Sequence, residues 1–414
     1  MNNTRLAFRP QKYLLIYYTN DVLGGIETLI GRMTAFLIAE GHEVYLLTTS
    51  TRSWAQVLSP SVKCRELGSR FRDLFYPIRC DKIWQMTGFP RPDVIKTFDL
   101  PTSWCGCLLA SRFGSATRLV AGIYNPYVFD HSKGGQHFMN GWKLYLRNYL
   151  KNIPNESRLA CDPAIQMELK MMHGPEQLIE FWPLPIESER FRKIIRKPVW
   201  GRIVSVGRLA PMKEYNVYMI DVVKSLRSSG LDVHWDVYGD GAYRETLERL
   251  IQREDLSRHI KLHGEIDYNR FPEILSTAYV FVGMGTSILE ASFGSVPNVL
   301  ALAYDTAGNT YGPIYEVPFG GIGQTIDGRP PDRKVENEIR RILGLTREDY
   351  GVEAARVSRS VERYDLRDRM ADFECFVANA RPPKRSTLLY FMNYAYAFAR
   401  AFGVHLDRWP STAS

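Results

Sequence analysis

The stretch Ala278–Ala303, AYVFVGMGTSILEASFGSVPNVLALA, decides the fold. Tyr279 to Val282 is a short uncharged run of β-branched and aromatic residues, the pattern of a strand buried on both faces. It breaks at Gly283-Met284-Gly285-Thr286, where two glycines let the backbone turn sharply and approach a ligand closely. Thr286 or Ser287 can cap a helix carrying Ile288, Leu289, Ala291 and Ser292, which stops at Gly294. A second buried strand, Val299 to Ala303, follows. In an open parallel sheet, ligands sit in loops at the carboxyl ends of strands. The free N–H groups of a helix beginning there suit an oxyanion or sugar hydroxyls. Glu290, in the first turns of that helix, has two readings. It can hold two vicinal hydroxyls, or it can complement the helix dipole.

Working outward, the second half of the chain repeats one rhythm. Strands at Ile203–Val206, Val233–Tyr238 and Ile260–Leu262 precede the two just described, with helices near 216–229, 242–254, 271–277 and 287–293. Such alternation makes a doubly wound domain. Two of its loops carry chemistry. Gly207-Arg208-Leu209-Ala210-Pro211-Met212-Lys213 directly follows a strand. There Arg208 and Lys213 can converge on one diphosphate, the arginine as a planar fork and the lysine as a point charge. Gly239-Asp240-Gly241 is the other loop, and it lacks the third glycine and downstream acid of a dinucleotide fingerprint.

The first half opens with a strand, Tyr13–Tyr18, a loop ending in Gly24-Gly25, and a helix with Ile26, Leu29, Ile30, Met33, Phe36 and Leu37 at helical spacing. Val44–Thr49 is the next strand. The Gly24-Gly25 loop either offers backbone N–H groups to phosphate or is simply a tight turn. Further strands are expected at 94–97, 118–123 and 158–161, with a helix around 104–111. Between residues 51 and 90, basic residues interleave with Trp54, Leu67, Phe71, Leu74, Phe75, Tyr76, Ile78 and Trp84. That mixture fits an anionic membrane interface or a solvated face over an ordinary core, and both readings stand. Helix 142–151 (WKLYLRNYLK) is a second basic, aromatic element, and residues 387–404 begin an aromatic tail helix. The tail suits either the membrane interface or docking on the protein itself.

Composition bounds what such a chain can be. Its 414 residues suffice for two domains with full cores. A net charge of +8 calls for an acidic partner, such as a nucleotide, a phosphate or an anionic lipid. The six cysteines are too scattered for a zinc module, and no aspartate pair at a strand end suggests a divalent cation, so no metal and no cofactor are expected. Neither a signal peptide nor an uninterrupted membrane span is apparent. The expectation is a cytoplasmic protein with peripheral contact at the inner face of the membrane. No groove-reading module supports a nucleic-acid partner.

At this point the chain resembles a family. The order strand-VGRLAPMK, strand-YGDG, strand-LHGEI, strand-GMGTSILEASFGSVP, with GGIETLIGRMTAFLIAEGHEVYLLTT near the start, is similar to the retaining family 4 glycosyltransferases of the GT-B fold. The likeness runs from about Tyr13 to Ala380. It implies an α/β protein of two Rossmann-like doubly wound domains facing a cleft, residues 1–190 on the acceptor side and 198–380 binding the nucleotide-sugar, followed by a helical tail at 381–414. It further implies that Arg208 and Lys213 neutralise the donor diphosphate and that Glu290 holds the nucleotide ribose. Backbone amides of Gly283, Met284, Gly285, Thr286 and Ser287 would touch the donor sugar. Gly24 and Gly25 would face its phosphates, with Gly207 and Gly239 also at the donor. The family's first motif glutamate, eight positions before Glu290, falls on Val282, which can neither accept nor donate a side-chain hydrogen bond. Its N-terminal histidine falls near Tyr124 or Asn125, with His131 close by, so these three are the acceptor-side candidates.

The implied activity moves a sugar from a nucleotide-diphosphate donor to a glycan or lipid-linked acceptor, without a metal, in cell-surface polysaccharide or glycolipid synthesis. Two competing classes are a non-catalytic nucleotide-sugar or glycan-binding subunit, and a nicotinamide-dependent oxidoreductase. The latter requires a Gly-x-Gly-x-x-Gly after a first strand, which neither glycine loop supplies.

Overall fold

The computed structural model describes residues 9–19, 23–75, 77–124, 153–174, 176 and 179–383. The chain divides into two compact units, residues 1–183 with 370–414, and residues 184–369.

Among the described residues the first unit holds a seven-stranded sheet in the order β3-β2-β1-β4-β5-β6-β7. The strands are β1 Lys12–Tyr17, β2 Glu43–Thr48, β3 Lys63–Glu66, β4 Val94–Thr97, β5 Arg118–Ile123, β6 Arg158–Ala160 and β7 Glu180–Phe181. All neighbours pair in parallel. The helix Leu100–Phe113 starts at a capping box in which Asp99 accepts from the Thr102 N–H and Thr102 Oγ1 answers the Asp99 N–H. Gly106 lets that helix lie close on the sheet, since a Cβ there would meet Thr97 at 2.8 Å and Leu119 at 2.9 Å.

Of the apolar side chains expected at 51–90, Trp54, Phe71, Leu74 and Trp84 are in the core, while Phe75, Tyr76 and Ile78 lie outside the described side chains. Trp54, Phe71, Leu74, Ile83 and Trp84 are all buried, so these side chains are unavailable to a membrane. The edge strand β3 in this region escaped the sequence reading because its residues, Lys63-Cys64-Arg65-Glu66, are all exposed and carry no apolar alternation. The end of the chain also departs from the sequence division, which carried the second domain to 380. The helix Leu366–Asn379 belongs to the first unit from Met370 onward. Phe373 packs on Tyr13 and Trp182, Glu374 meets His42, and the Val377 carbonyl accepts from Arg118.

The second unit holds a five-stranded parallel sheet in the order β10-β9-β8-β11-β12 among its described residues. Here β8 is Arg202–Val206, β9 His234–Tyr238, β10 Ile260–Gly264, β11 Val280–Gly283 and β12 Asn298–Leu300. A short antiparallel pair, β13 Asn309–Thr310 with β14 Arg333–Lys334, lies after it. The last strand ends three residues sooner than its apolar run suggests. Beyond the ladder Ala303 donates to the Gly323 carbonyl instead of to β11, and the residues after Leu300 run on as a buried loop. The chain passes from β8 to β9 on one side and returns to β11 on the other. The switch in strand order therefore falls between β8 and β11, where an open sheet leaves a crevice at its carboxyl edge.

Asn125, His131, the helix expected at 142–151 and the tail at 387–404 lie outside the described residues. Among the described residues no helix is long and apolar enough to cross a membrane.

Candidate active site

The loops that flank this switch point follow β8 and β11, namely the Gly207–Lys213 and Gly283–Thr286 segments of the sequence. After β8, the segment Gly207–Lys213 is held by backbone bonds on both sides. The Gly207 N–H donates to the Tyr238 carbonyl (2.9 Å), the Leu209 N–H to the Asp240 carbonyl (2.9 Å), and the Tyr304 N–H to the Met212 carbonyl (3.0 Å). Leu209 is fully buried and anchors the loop. The neighbouring Gly239 has φ +133°, and a Cβ on it would fall 2.1 Å from the Gly207 carbonyl oxygen. Two backbones in contact account for this glycine, so it shapes the site by letting the loops close on one another.

Arg208 is exposed, while Lys213 keeps only part of its surface. The ammonium of Lys213 is tucked against Gly207, where a Cβ would lie 2.3 Å from Nζ. Among the described residues neither cation has a carboxylate partner, and neither pairs with Glu290. Burial, then the nearby Arg208 guanidinium, pushes the Lys213 amine down to about 8. Two unpaired cations on one pinned loop make a site that favours an anion bearing more than one charge.

Across the switch point, β11 ends in Gly283, and Gly285 at φ +75° begins the helix Thr286–Phe293. The helix has no side-chain cap, contrary to the cap expected from Thr286 or Ser287. Ser287 Oγ instead donates back to the Met284 carbonyl at 3.2 Å. The N-cap position is taken by Gly285, whose N–H is bound to the Ile322 carbonyl at 2.6 Å. The first-turn N–H groups are thus left without a side-chain acceptor, as a helix end used for ligands requires. Met284 is buried and pressed against Gly323, where a Cβ would lie 2.7 Å away.

Val282 lies inside β11, fully buried, with its carbonyl accepting from Ser205 Oγ at 2.7 Å. A carboxylate at that position would stand in the core, because the turn from β11 to the helix is short. Glu290 is 3 % exposed and accepts a 2.5 Å hydrogen bond from Tyr268 Oη. The Arg190 guanidinium packs over the Tyr268 ring at 4.5 Å and donates to the Tyr268 carbonyl. Tyr268 and the segment 320–323 were missed in the sequence. The glycines of Phe319-Gly320-Gly321-Ile322-Gly323 were the available signal for the second, whereas nothing local marks Tyr268.

In the first unit, Gly24 is the N-cap of the helix Gly25–Ala39, in extended conformation and without a side-chain cap. Glu27 in the first turn is buried and accepts from Tyr17 Oη (2.6 Å) and Thr19 Oγ1 (3.3 Å). Tyr124 follows β5, stacked with Phe98 at 5.7 Å, and among the described residues its buried hydroxyl has no hydrogen-bond partner. Below it lies a feature absent from the sequence reading. Lys96 in β4 is fully buried, donates to the Thr97 carbonyl at 3.0 Å and faces the rings of Phe98 and Tyr124 at 5.0 and 4.9 Å.

Comparison with known proteins adds to this geometry. Residues 23–190 match the family described as Glycosyltransferase Family 4, and residues 188–304 match Glycosyl transferases group 1. A GDP-mannose-dependent alpha-(1-6)-phosphatidylinositol monomannoside mannosyltransferase of Mycobacterium tuberculosis is 24 % identical over 77 % of this chain and 86 % of its own length. The GPI3 subunit of a phosphatidylinositol N-acetylglucosaminyltransferase from Saccharomyces cerevisiae is 24 % identical over 67 % of each chain. Among solved structures, a sucrose-phosphate synthase from Thermosynechococcus elongatus superposes with TM-score 0.67 at 15 % identity, covering 95 % of this chain and 100 % of the other. Anabaena HepE in complex with UDP and glucose gives TM-score 0.62 at 14 % identity over 89 % and 99 %. The fold is GT-B, the two family matches together run from 23 to 304, and the chain is a glycosyltransferase of the family 4 type.

Proposed function

We propose that this enzyme transfers a glycosyl group, with retention and without a metal ion, from a nucleoside-diphosphate sugar to a lipid-linked or glycan acceptor. The observation that carries the reading is the unpaired pair Arg208 and Lys213 at the carboxyl edge of β8. As the glycosidic bond to the leaving group breaks, negative charge gathers on the diphosphate. Arg208 would meet it as a bidentate fork and Lys213 as a point charge, and both stabilise the transition state more than the ground state. The uncapped first turn at Thr286 and Ser287 would add backbone N–H groups toward the sugar, and Glu290 would accept from the ribose hydroxyls. Gly24, Gly25, Gly207 and Gly239 would shape the donor side, and Tyr124, Asn125 and His131 are the acceptor-side candidates. A GDP-sugar donor and a phosphatidylinositol-type acceptor head the candidates, because the mycobacterial relatives are named for that pair. Such an acceptor would place the enzyme at the inner face of a membrane.

The test combines binding and turnover. Arg208→Ala and Lys213→Ala are each expected to weaken nucleoside-diphosphate binding in calorimetry with the melting temperature kept. Transfer should fall by about 2–4 kcal/mol of transition-state stabilisation, the range seen when one such donor is lost. Activity should persist in a chelator. Parent-like diphosphate affinity in either variant refutes the assignment.

A further inference from the structure

At the other end of the second unit's sheet, the amino-terminal ends of β8, β9 and β10 surround a cavity of about 220 Å3. It is independent of the loops after β8 and β11, and its lining is strongly basic. Arg202 and His234 begin their strands there, and Arg258, His259 and Lys261 approach from the start of β10. Two carboxylates are near, and both are occupied. Asp236 is held by Arg202 Nε and His263 Nε2, each at 2.7 Å. Asp232 is held by Arg227 at 2.8 Å and lies 3.5 Å from His234 Nε2.

The remaining cations have no such counterweight. Arg258 and Lys261 are exposed and, among the described residues, form no ion pair. His259 lies with its ring 5.4 Å from that of His234, and among the described residues its buried Nδ1 has no hydrogen-bond partner. Burial, then Arg227 and His234, hold the His259 imidazole below its usual range. Asp232 opposes them and Arg258 adds to them. The rim is apolar, with Val199 53 % and Trp200 46 % exposed. Trp200 Nε1 donates to the Leu343 carbonyl, which fixes the ring at the cavity mouth.

We propose that this cavity is a binding site for a phosphate ester, the phosphate lying among His259, Arg258 and Lys261 and the organic part against Trp200. An anion there would relieve the mutual repulsion of these groups. The same chemistry is presented by a soluble phosphomonoester and by the headgroup of an anionic phospholipid.

The experiment follows the histidine imidazole C–H resonances of the full chain by NMR, assigned with His259→Gln and His234→Gln. No nucleotide is present, and the two assigned histidines line this cavity at the opposite end of the strands from the loop after β8, so they report on it alone. Inorganic phosphate is titrated against sodium chloride at matched ionic strength. Phosphate is expected to shift His259 and His234 saturably and to raise the pH at which His259 titrates. Arg258→Ala combined with Lys261→Ala should weaken this response about tenfold or more, two charge-assisted contacts being lost, with nucleoside-diphosphate affinity unchanged. Co-sedimentation with phosphatidylcholine vesicles, with and without phosphatidic acid, distinguishes the sources. Recruitment by phosphatidic acid that the double variant loses identifies a lipid headgroup, and a phosphate response without recruitment identifies a soluble ester. Unmoved resonances, a response retained in the double variant, or recruitment without the phosphate response overturns the proposal.

Discussion

A lysine whose amine is pushed down to about 8 makes diphosphate binding depend on pH in a range where the diphosphate itself no longer titrates. With that value, about half of the ligand-free molecules carry a neutral Lys213 at pH 8 and about nine in ten at pH 9. A bound diphosphate sets opposite charge beside the amine, and an opposite charge within reach raises an amine by about 1–3 units. Binding therefore takes up a proton whenever the amine starts neutral, and affinity falls as pH rises through 8. The expected loss between pH 7 and pH 9 is about tenfold in Kd, or about 1.4 kcal/mol. Proton uptake should approach about half a proton at pH 8 and about nine-tenths at pH 9.

Isothermal calorimetry in buffers of different ionisation enthalpy, at one ionic strength, measures both quantities. Lys213→Arg is the decisive control, because a guanidinium stays charged across this range. Its profile should be flat, as should that of Lys213→Ala, with the alanine variant weaker at pH 7. If the parent loses no more affinity from pH 7 to pH 9 than Lys213→Arg, then Nζ does not meet the diphosphate. The packing of that amine against Gly207 would then be a structural feature and nothing more.

Two further outcomes follow from buried groups. Glu290→Ala should weaken nucleoside-diphosphate binding by about 1.5–3 kcal/mol, the worth of hydrogen bonds to a charged group. Inorganic pyrophosphate affinity should stay unchanged, and equal losses for both ligands in calorimetry would exclude a ribose contact. Lys96→Met should raise stability at neutral pH, measured by urea unfolding. Burial holds the Lys96 amine well below its ordinary value, with only the Cys161 thiol opposing. Its penalty is therefore present below the folded-state pKa and is relieved as pH rises toward the unfolded value of about 10.4. The parent's stability should climb across that window while the variant's stays flat, and parallel profiles would show that Lys96 is not charged at a cost.

What the sequence disclosed, and what it withheld, separates along one physical line. Strands β4 and β5 and the helix Phe271–Thr277 have the bounds their apolar patterns suggest, because burial on both sheet faces leaves a continuous local mark. Arg208 and Lys213 stand out in the sequence for a similar reason, as charges on the loop that follows such a strand, and their part at the donor is the proposal. Their state was not legible. The depressed lysine depends on its amine lying against Gly207, and the loop geometry depends on the close approach of Gly239 from a different strand. Tyr268 and Glu290 are 22 positions apart and meet only because of how the elements after β10 and β11 pack. Met284 and Gly323, and Met212 and Tyr304, are likewise brought together by sheet order. No local period encodes such pairs.

The short turn after β11 shows why this matters for chemistry. Counting eight positions back from Glu290 places Val282 where a loop carboxylate was sought, yet the residue is the third of a four-residue buried strand. With no carboxylate on this turn, a donor sugar bound there as proposed would find its polar contacts in the uncapped N–H groups of the first helical turn beyond Gly285. Backbone N–H groups only donate, so they select sugar oxygens as acceptors without demanding one particular hydroxyl. On the proposed function, discrimination among donor sugars at this turn would then come from shape, which Met284, buried against Gly323, would help to set.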